Sequence, residues 1–306
     1  MKKLTFAAID VGSNAVRLLI KCTTNNSADP LTKVQLVRVP LRLGQEAFIK
    51  GRIGKEKGGD MLRLMKAYKY LMKIYNVQAY RACATSAMRE AADASLLVAQ
   101  IYDRTGIKIE VISGEEEAEL VSRTGINPAV RAQGSFLFTD VGGGSTELTL
   151  LQNGRPLKKR SFNIGTVRML TGSVHTSEWE LMEEYLRTLY SDYGPCRIIG
   201  SGGNINRLVR LNGSGKSPEG LPCISVHNLQ ELYASMSQLT QEERMVRYNL
   251  KTDRADVIVP AASVFLQVAK TLQAPYIIVP TSGLADGIID LLYTQYLNPK
   301  VHTGSN

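Results

Sequence analysis

Apolar residues in this chain fall into two matching patterns, one near each end of its first half. Phe6, Ala7, Ala8 and Ile9 form an unbroken apolar run that ends at Asp10, and after the turn Val11-Gly12-Ser13-Asn14 a second run passes through Leu18, Leu19 and Ile20. Short apolar runs bounded by turn residues predict buried strands. The pattern returns at Phe136, Leu137 and Phe138, which lead through Asp140 into Gly142-Gly143-Gly144-Ser145 and out through Leu148, Leu150 and Leu151. Val34–Val39 predicts a third strand after the first copy. In the second copy, Gln152-Asn153-Gly154-Arg155 predicts a hairpin turn leading to a strand near Arg160–Ile164.

Helical spacing takes over after each set of strands. Leu62, Met65, Tyr68, Leu71, Met72 and Tyr75 mark one face of a helix with Asp60 as its N-cap. Further helices are predicted over Trp179–Tyr190 and Leu229–Leu239, and short strands over Val77–Ala82, Ile107–Ile112, Arg197–Ile199 and Tyr276–Val279. Asn212–Pro218 reads as a flexible surface loop. Its Gly-Ser-Gly-Lys-Ser resembles a nucleotide-binding loop but lacks the spacing between glycines that such a loop needs.

Composition narrows the class. The 306 residues suffice for two domains, each with its own core, and 44% hydrophobic with 21% charged residues is ordinary for a globular protein. No apolar run approaches the ~20 residues of a membrane span. Lys2 and Lys3 are not followed by a sustained apolar stretch, because Asp10 interrupts it, so no signal peptide is expected. Cys22, Cys83, Cys196 and Cys223 are scattered, which points to reduced thiols in a cytoplasmic protein and against a zinc site. The net charge of +9 is concentrated between Arg38 and Lys73. That stretch fits a solvated helix face or attraction to a polyanion in equal measure. No nucleic-acid-binding motif accompanies it.

Each acidic turn has the makings of a phosphate site. Glycine lets backbone N–H groups approach an anion closely, and serine hydroxyls add donors. An aspartate beside a phosphate repels it, so a divalent cation is expected between them. Ile107–Ile112 ends at Ser113-Gly114, which places Glu115, Glu116 and Glu117 in a first helical turn, where the dipole favours the ionised carboxylate that a general base needs. Surface acids that merely satisfy the dipole look the same in sequence.

Further segments resolve the ambiguity by resemblance. Ala84-Thr85-Ser86-Ala87-Met88-Arg89-Glu90-Ala91, Val111–Ala118, Asp140–Glu147, Asn163–Arg168, Ile199–Asn204 and Gly283–Gly287 resemble, in order, the motifs of the exopolyphosphatase/guanosine pentaphosphate phosphatase family. That family belongs to the acetate and sugar kinase/heat-shock chaperone/actin superfamily. The likeness runs from about residue 6 to about residue 294, in what reads as the short, two-domain form of the family. It implies an α/β fold of two related ribonuclease-H-like (actin-like ATPase) domains with a cleft between them. Residues 1–124 would form the first domain, joined by a C-terminal helix over 283–298, and residues 125–306 the second.

By the same resemblance Glu117 orients and deprotonates the attacking water, and Glu147 assists catalysis. Asp10, Asp140 and Glu147 hold Mg2+ or Mn2+. Phosphate is bound by Gly12, Ser13, Asn14 and Arg17, by Thr85, Ser86 and Arg89, and by Gly142, Gly143, Gly144 and Ser145. Gly200–Gly203 resembles the superfamily's adenosine-side loop, and reads equally as a plain strand-to-helix turn. The activity implied is release of terminal phosphate from inorganic polyphosphate, with short or intermediate chains preferred. The alternative is a guanosine pentaphosphate 5′-phosphatase acting in the stringent response. A small-molecule kinase and a non-catalytic sensor are more distant readings. The expected partners are the polyanionic substrate and, by resemblance, a second copy of the chain, with neither nucleic acid nor membrane.

Overall fold

The computed structural model describes residues 3–26, 30–122, 134–153, 155–213, 215–280 and 282–297. The chain divides into two compact units. The first runs to Ser113 and takes in the chain from Leu284 onwards, and the second spans Gly114–Gly283.

In the first unit β1 (Thr5–Val11), β2 (Val16–Thr23) and β3 (Leu31–Val39) form an antiparallel meander. Helices α1 (Leu43–Lys50) and α2 (Lys55–Ile74) follow, and then β4 (Ala79–Ala84), α3 (Ser86–Glu90), α4 (Ala94–Thr105) and β5 (Ile109–Val111). β4 and β5 join in parallel, giving the order β3-β2-β1-β4-β5. One face of the sheet packs Val11, Val16 and Leu18 against Met61, Met65 and Tyr68 of α2. The buried Tyr68 hydroxyl donates to Val16 O at 3.1 Å, and burial pushes its phenol well above the ordinary range. The C-terminal helix Leu284–Leu297 packs on β1, β2 and β4. Its Tyr293 and Tyr296 meet Phe6 edge-on with centroids 5.9 and 5.5 Å away, and its Asp286 pairs with Lys21 at 2.7 Å.

The second unit opens with α5 (Gly114–Ser122) and repeats the meander as β6 (Ser135–Val141), β7 (Thr146–Gln152) and β8 (Arg155–Phe162). Then come α6 (Thr166–Leu170), α7 (Thr176–Tyr193), β9 (Arg197–Ser201), α8 (Gly203–Asn212), β10 (Gly215–Lys216) and β11 (Pro222–Ser225). Helices α9 (Val226–Ser237), α10 (Gln241–Tyr248), α11 (Thr252–Ala255) and α12 (Ile258–Thr271) precede β12 (Tyr276–Ile278). The sheet order is β10-β11-β12-β9-β6-β7-β8, with β6, β9 and β12 mutually parallel. Read from β8 to β12, it is the order of the first sheet again, extended by a hairpin. Leu137, Leu148, Leu150 and Ile198 build its core with Leu186, Leu208 and Phe265, each fully buried chain worth about 1.5–3 kcal/mol. This duplicated α/β plan is the one implied by the resemblance.

Several expectations are corrected. Helix α2 starts at Lys55, with Gly54 as its cap. The Gly54 N–H is satisfied by Glu46 Oε2 at 2.8 Å, and Asp60 lies inside the helix, paired with Arg63 at 2.8 Å. Residues 55–60 hold no apolar side chain, so the start of the helix leaves no stripe in the sequence. β8 begins at Arg155, which pairs with Gln152, and its exposed edge tolerates Lys158 and Arg160. Within the supposed loop, Gly215 and Lys216 pair with Cys223 and Pro222.

All four cysteines are buried and unbridged, and burial pushes the Cys196 and Cys223 thiols up. No helix among the described residues is long and apolar enough to cross a membrane.

Candidate active site

The turn between β6 and β7 is built from the back. Gly142 N–H closes it on Ser145 O at 2.9 Å, so this amide is used by the turn itself rather than left for a ligand. The next three carbonyls are turned towards α6. Gly142 O accepts from Thr166 N at 3.0 Å, Gly143 O from Val167 N at 2.8 Å, and Gly144 O from Arg168 Nε at 2.8 Å. In a trans peptide the N–H points opposite to the C=O. The amides of Gly143, Gly144 and Ser145 are therefore aimed together, away from α6. Close approach makes this possible: a Cβ on Gly165 would stand 2.3 Å from the backbone of Gly144.

Three carboxylates gather beside the turn. Glu117 is buried in the first turn of α5, and Asp140 and Glu147 are direct cross-strand partners on β6 and β7. One oxygen from each lies within 4.8 Å of the others. Helix α5 packs on β7 and β8, where Lys159 holds Glu119 at 2.9 Å. Buried Glu147 is oriented through Oε1, which accepts from Ser145 Oγ at 2.5 Å and from Ser161 Oγ at 3.0 Å. On the other side of Asp140, Gly202 turns the chain at φ 105°, and a side chain there would press on Asp140 Oδ1 at 3.1 Å. Crowded hard oxygen donors repel one another and suit a divalent cation.

The first unit carries the other turn. Gly12 N–H bonds Ala15 O at 3.2 Å, Gly44 N–H bonds Ser13 O at 2.9 Å, and Arg42 N–H bonds Asn14 O at 3.0 Å. The amides of Asn14 and Ala15 consequently face away from α1. Asp10 is held by Arg17, whose Nη1 lies 2.6 Å from its Oδ2. The Ser13 and Ser86 hydroxyls are 2.9 Å apart, and Ser13 Oγ also accepts from Ala87 N at 3.2 Å. Thr85 is buried at the head of α3, and Arg89 Nη1 donates to Ile112 O at 2.9 Å. Ser13, Thr85 and Ser86 thus gather in this unit, while Arg17 and Arg89 are each committed in part to protein oxygens.

Three contributors were not assigned roles from sequence. Ser161 escaped because β8 was expected to begin only one residue earlier, which gave no register with Glu147. Arg168 and Gly165 lie within a motif segment that carried the resemblance, yet nothing in the pattern shows that they buttress a turn some 20 residues earlier in the chain. At Gly200–Gly203, Arg254 Nη1 donates to Gly203 O.

Known proteins match this chain along most of its length. The model of the Ppx/GppA phosphatase family matches residues 23–295. A guanosine-5′-triphosphate,3′-diphosphate pyrophosphatase of Aeromonas salmonicida is 26% identical over 300 residues, covering 93% of this chain and 58% of that protein. Exopolyphosphatase 2 of Mycobacterium tuberculosis is 27% identical over 293 residues, covering 87% of this chain and 90% of that protein. Among solved structures, an exopolyphosphatase from Cytophaga hutchinsonii superposes with a TM-score of 0.81 at 26% identity, covering 98% of this chain and all of that one. The Aquifex aeolicus Ppx/GppA family member gives 0.73 at 25% identity, with 97% and 99% covered.

Proposed function

Because this chain belongs to the Ppx/GppA phosphatase family, we propose that it hydrolyses phosphoric anhydrides, releasing the terminal phosphate of inorganic polyphosphate. The observation that carries this reading lies within the second unit. Three converging amides, at Gly143, Gly144 and Ser145, stand beside the carboxylates of Glu117, Asp140 and Glu147. The first arrangement binds an anion, and the second handles a proton and a cation.

The three oxygens within 4.8 Å fit a hard divalent ion such as Mg2+ or Mn2+. Asp140 and Glu147 would hold it, and when bound it would neutralise charge on the transferring phosphoryl group. Asp10, the further metal ligand that the family resemblance implies, belongs to the first unit, where Arg17 Nη1 lies 2.6 Å from its Oδ2.

Glu117 accepts the proton of the attacking water. Burial in the first turn of α5 keeps competing water away from it. Ser145 and Ser161 hold one oxygen of Glu147, which fixes the direction of the carboxylate. The turn amides bind oxygens of the terminal phosphate, over which the charge of the transferring group is spread.

A second reading, removal of the 5′ phosphate from guanosine pentaphosphate, is supported by the name of the Aeromonas relative, of whose length this chain spans just over half. The same amides and acids would serve it. Phosphate release from a panel of polyphosphates, guanosine pentaphosphate and ATP, with magnesium present, tests the proposal. Release from none of them would refute it, and release from guanosine pentaphosphate alone would select the second reading. We place the protein in the cytoplasm as a homodimer, on the strength of its buried, unbridged cysteines and the family resemblance respectively.

A further inference from the structure

We propose that Arg168 is a positioning residue that sets the turn Gly142–Ser145 in its anion-binding orientation and, through Ser145, steadies Glu147. The kinetic part of this inference rests on the hydrolase reading above, whereas the binding part does not.

Three consecutive glycines have little backbone preference of their own. Each peptide of the turn can flip, and a flip would carry its N–H from the open side to the α6 side. What holds the peptides differs along the turn. The carbonyls of Gly142 and Gly143 are held by backbone amides of α6, a scaffold that any sequence forming this helix would supply. The Gly144 carbonyl is held by a side chain, Nε of Arg168 at 2.8 Å. The direction of the Ser145 amide thus depends in part on a side chain, the guanidinium of Arg168. Ser145 also donates its hydroxyl to Glu147 Oε1, so a twist of that peptide would disturb an acid of the cluster as well.

The chemistry of Arg168 fits the task. Only 6% of the residue is exposed, and a guanidinium taken out of water must be hydrogen-bonded or it destabilises the fold. Its own backbone N–H donates to Gly143 O at 3.1 Å, which locks the residue to the turn at two points. A fixed positive charge behind the turn also raises the potential on the side where the amides point. Lysine would keep the charge but lose the planar donor aimed at Gly144. A neutral chain would lose both.

The test uses the whole protein with R168K and R168M, measuring melting temperature, calorimetric binding of inorganic phosphate and tripolyphosphate with magnesium, and steady-state kinetics on tripolyphosphate. Both variants should weaken phosphate and tripolyphosphate binding and raise KM. The effect should be about 10- to 100-fold in R168M, the reach of a sub-ångström misplacement of binding groups, and smaller in R168K. Added guanidinium should restore part of the binding in R168G. A folded R168M or R168K with wild-type phosphate affinity and KM would overturn the proposal. Should R168M fail to fold, R168K and the rescue of R168G decide. If the wild type binds tripolyphosphate but hydrolyses nothing, the hydrolase reading falls and the binding arm still judges Arg168. If the wild type binds neither ion, the cradle itself is refuted.

Discussion

Arg17 holds in the first sheet the register position that Glu147 holds in the second: each stands directly across from the aspartate one residue before the end of its meander's first strand, Asp10 and Asp140 respectively. In one copy the aspartate meets a cation at 2.6 Å; in the other it meets a second carboxylate. The contrast continues one strand further out, where Arg17 faces Arg38 and Glu147 faces Ser161. One duplicated backbone has thus been given opposite charge at the same place. The basic row suits the holding of an anion, and the acidic row suits a cation and an activated water.

Replacing the proposed base isolates the chemical step. Glu117→Gln keeps the size of the side chain and its place in α5 while removing the proton acceptor. Turnover should fall by about 10²–10⁴-fold with KM nearly unchanged. Initial-rate measurements at saturating and limiting substrate would show it, and near-normal turnover would remove Glu117 from the mechanism.

The Arg17–Asp10 pair should behave as a unit. Asp10 is buried, and removing its partner leaves a carboxylate without its charge-assisted bond. Arg17→Met should cost about 1.5–3 kcal/mol of stability. The double variant with Asp10→Asn should lose less than the two single losses added together. Additive losses in urea melts would show that the contact carries no coupling.

The sequence disclosed the duplication because it is written in local signals: two apolar runs ending in Asp, and two small-residue turns. It placed Glu117 in a first helical turn for the same reason, since Ser113-Gly114 punctuates the chain there. The features it concealed are contacts between distant segments. Ser161 reaches Glu147 only once the register of β8 is known, and the exposed edge residues of β8 do not alternate cleanly. Arg168 is a lone arginine among apolar neighbours, and its bond to Gly144 spans 24 positions. The start of α2 leaves no trace in the pattern because residues 55–60 hold no apolar side chain.

Metal dependence follows from the crowding of Glu117, Asp140 and Glu147. Activity should vanish in excess chelator and return with magnesium or manganese, since oxygen donors and substrate phosphates suit both. Asp140→Asn should raise the magnesium concentration needed for half-maximal rate. Full turnover in chelator would contradict the assignment.

Acid stability should depend on Glu46. Its carboxylate lies below the usual range, first through the bond from Gly54 N–H and then through Lys50. A lowered folded value means that the ionised form is favoured in the native state. Its contribution to stability is therefore complete above the ordinary carboxylate pKa of about 4.3 and is lost as pH falls through the lower folded value. The melting temperature of wild type should drop more between neutral pH and pH ~3 than that of Glu46→Gln. Equal drops would remove Glu46 from the acid transition.

Chain-length preference turns on how much basic charge is open to a long polyanion. Several of the bases are already matched by acids of the same chain, at Lys50–Glu46, Arg63–Asp60, Lys158–Asp192 and Lys159–Glu119. Such pairs are individually weak, yet each offsets charge that a continuous track would need. The favoured outcome is accordingly limited processivity, with short or intermediate polyphosphates turned over at least as fast as long ones per chain end. Rates should fall as salt screens the attraction. In a dimer, basic surfaces of two copies could join into one track, and long chains would then be degraded processively and faster. Turnover on short and long chains at equal concentrations of chain ends, followed by gel analysis of intermediates, separates the two. Faster, processive loss of long chains would refute the short-chain preference.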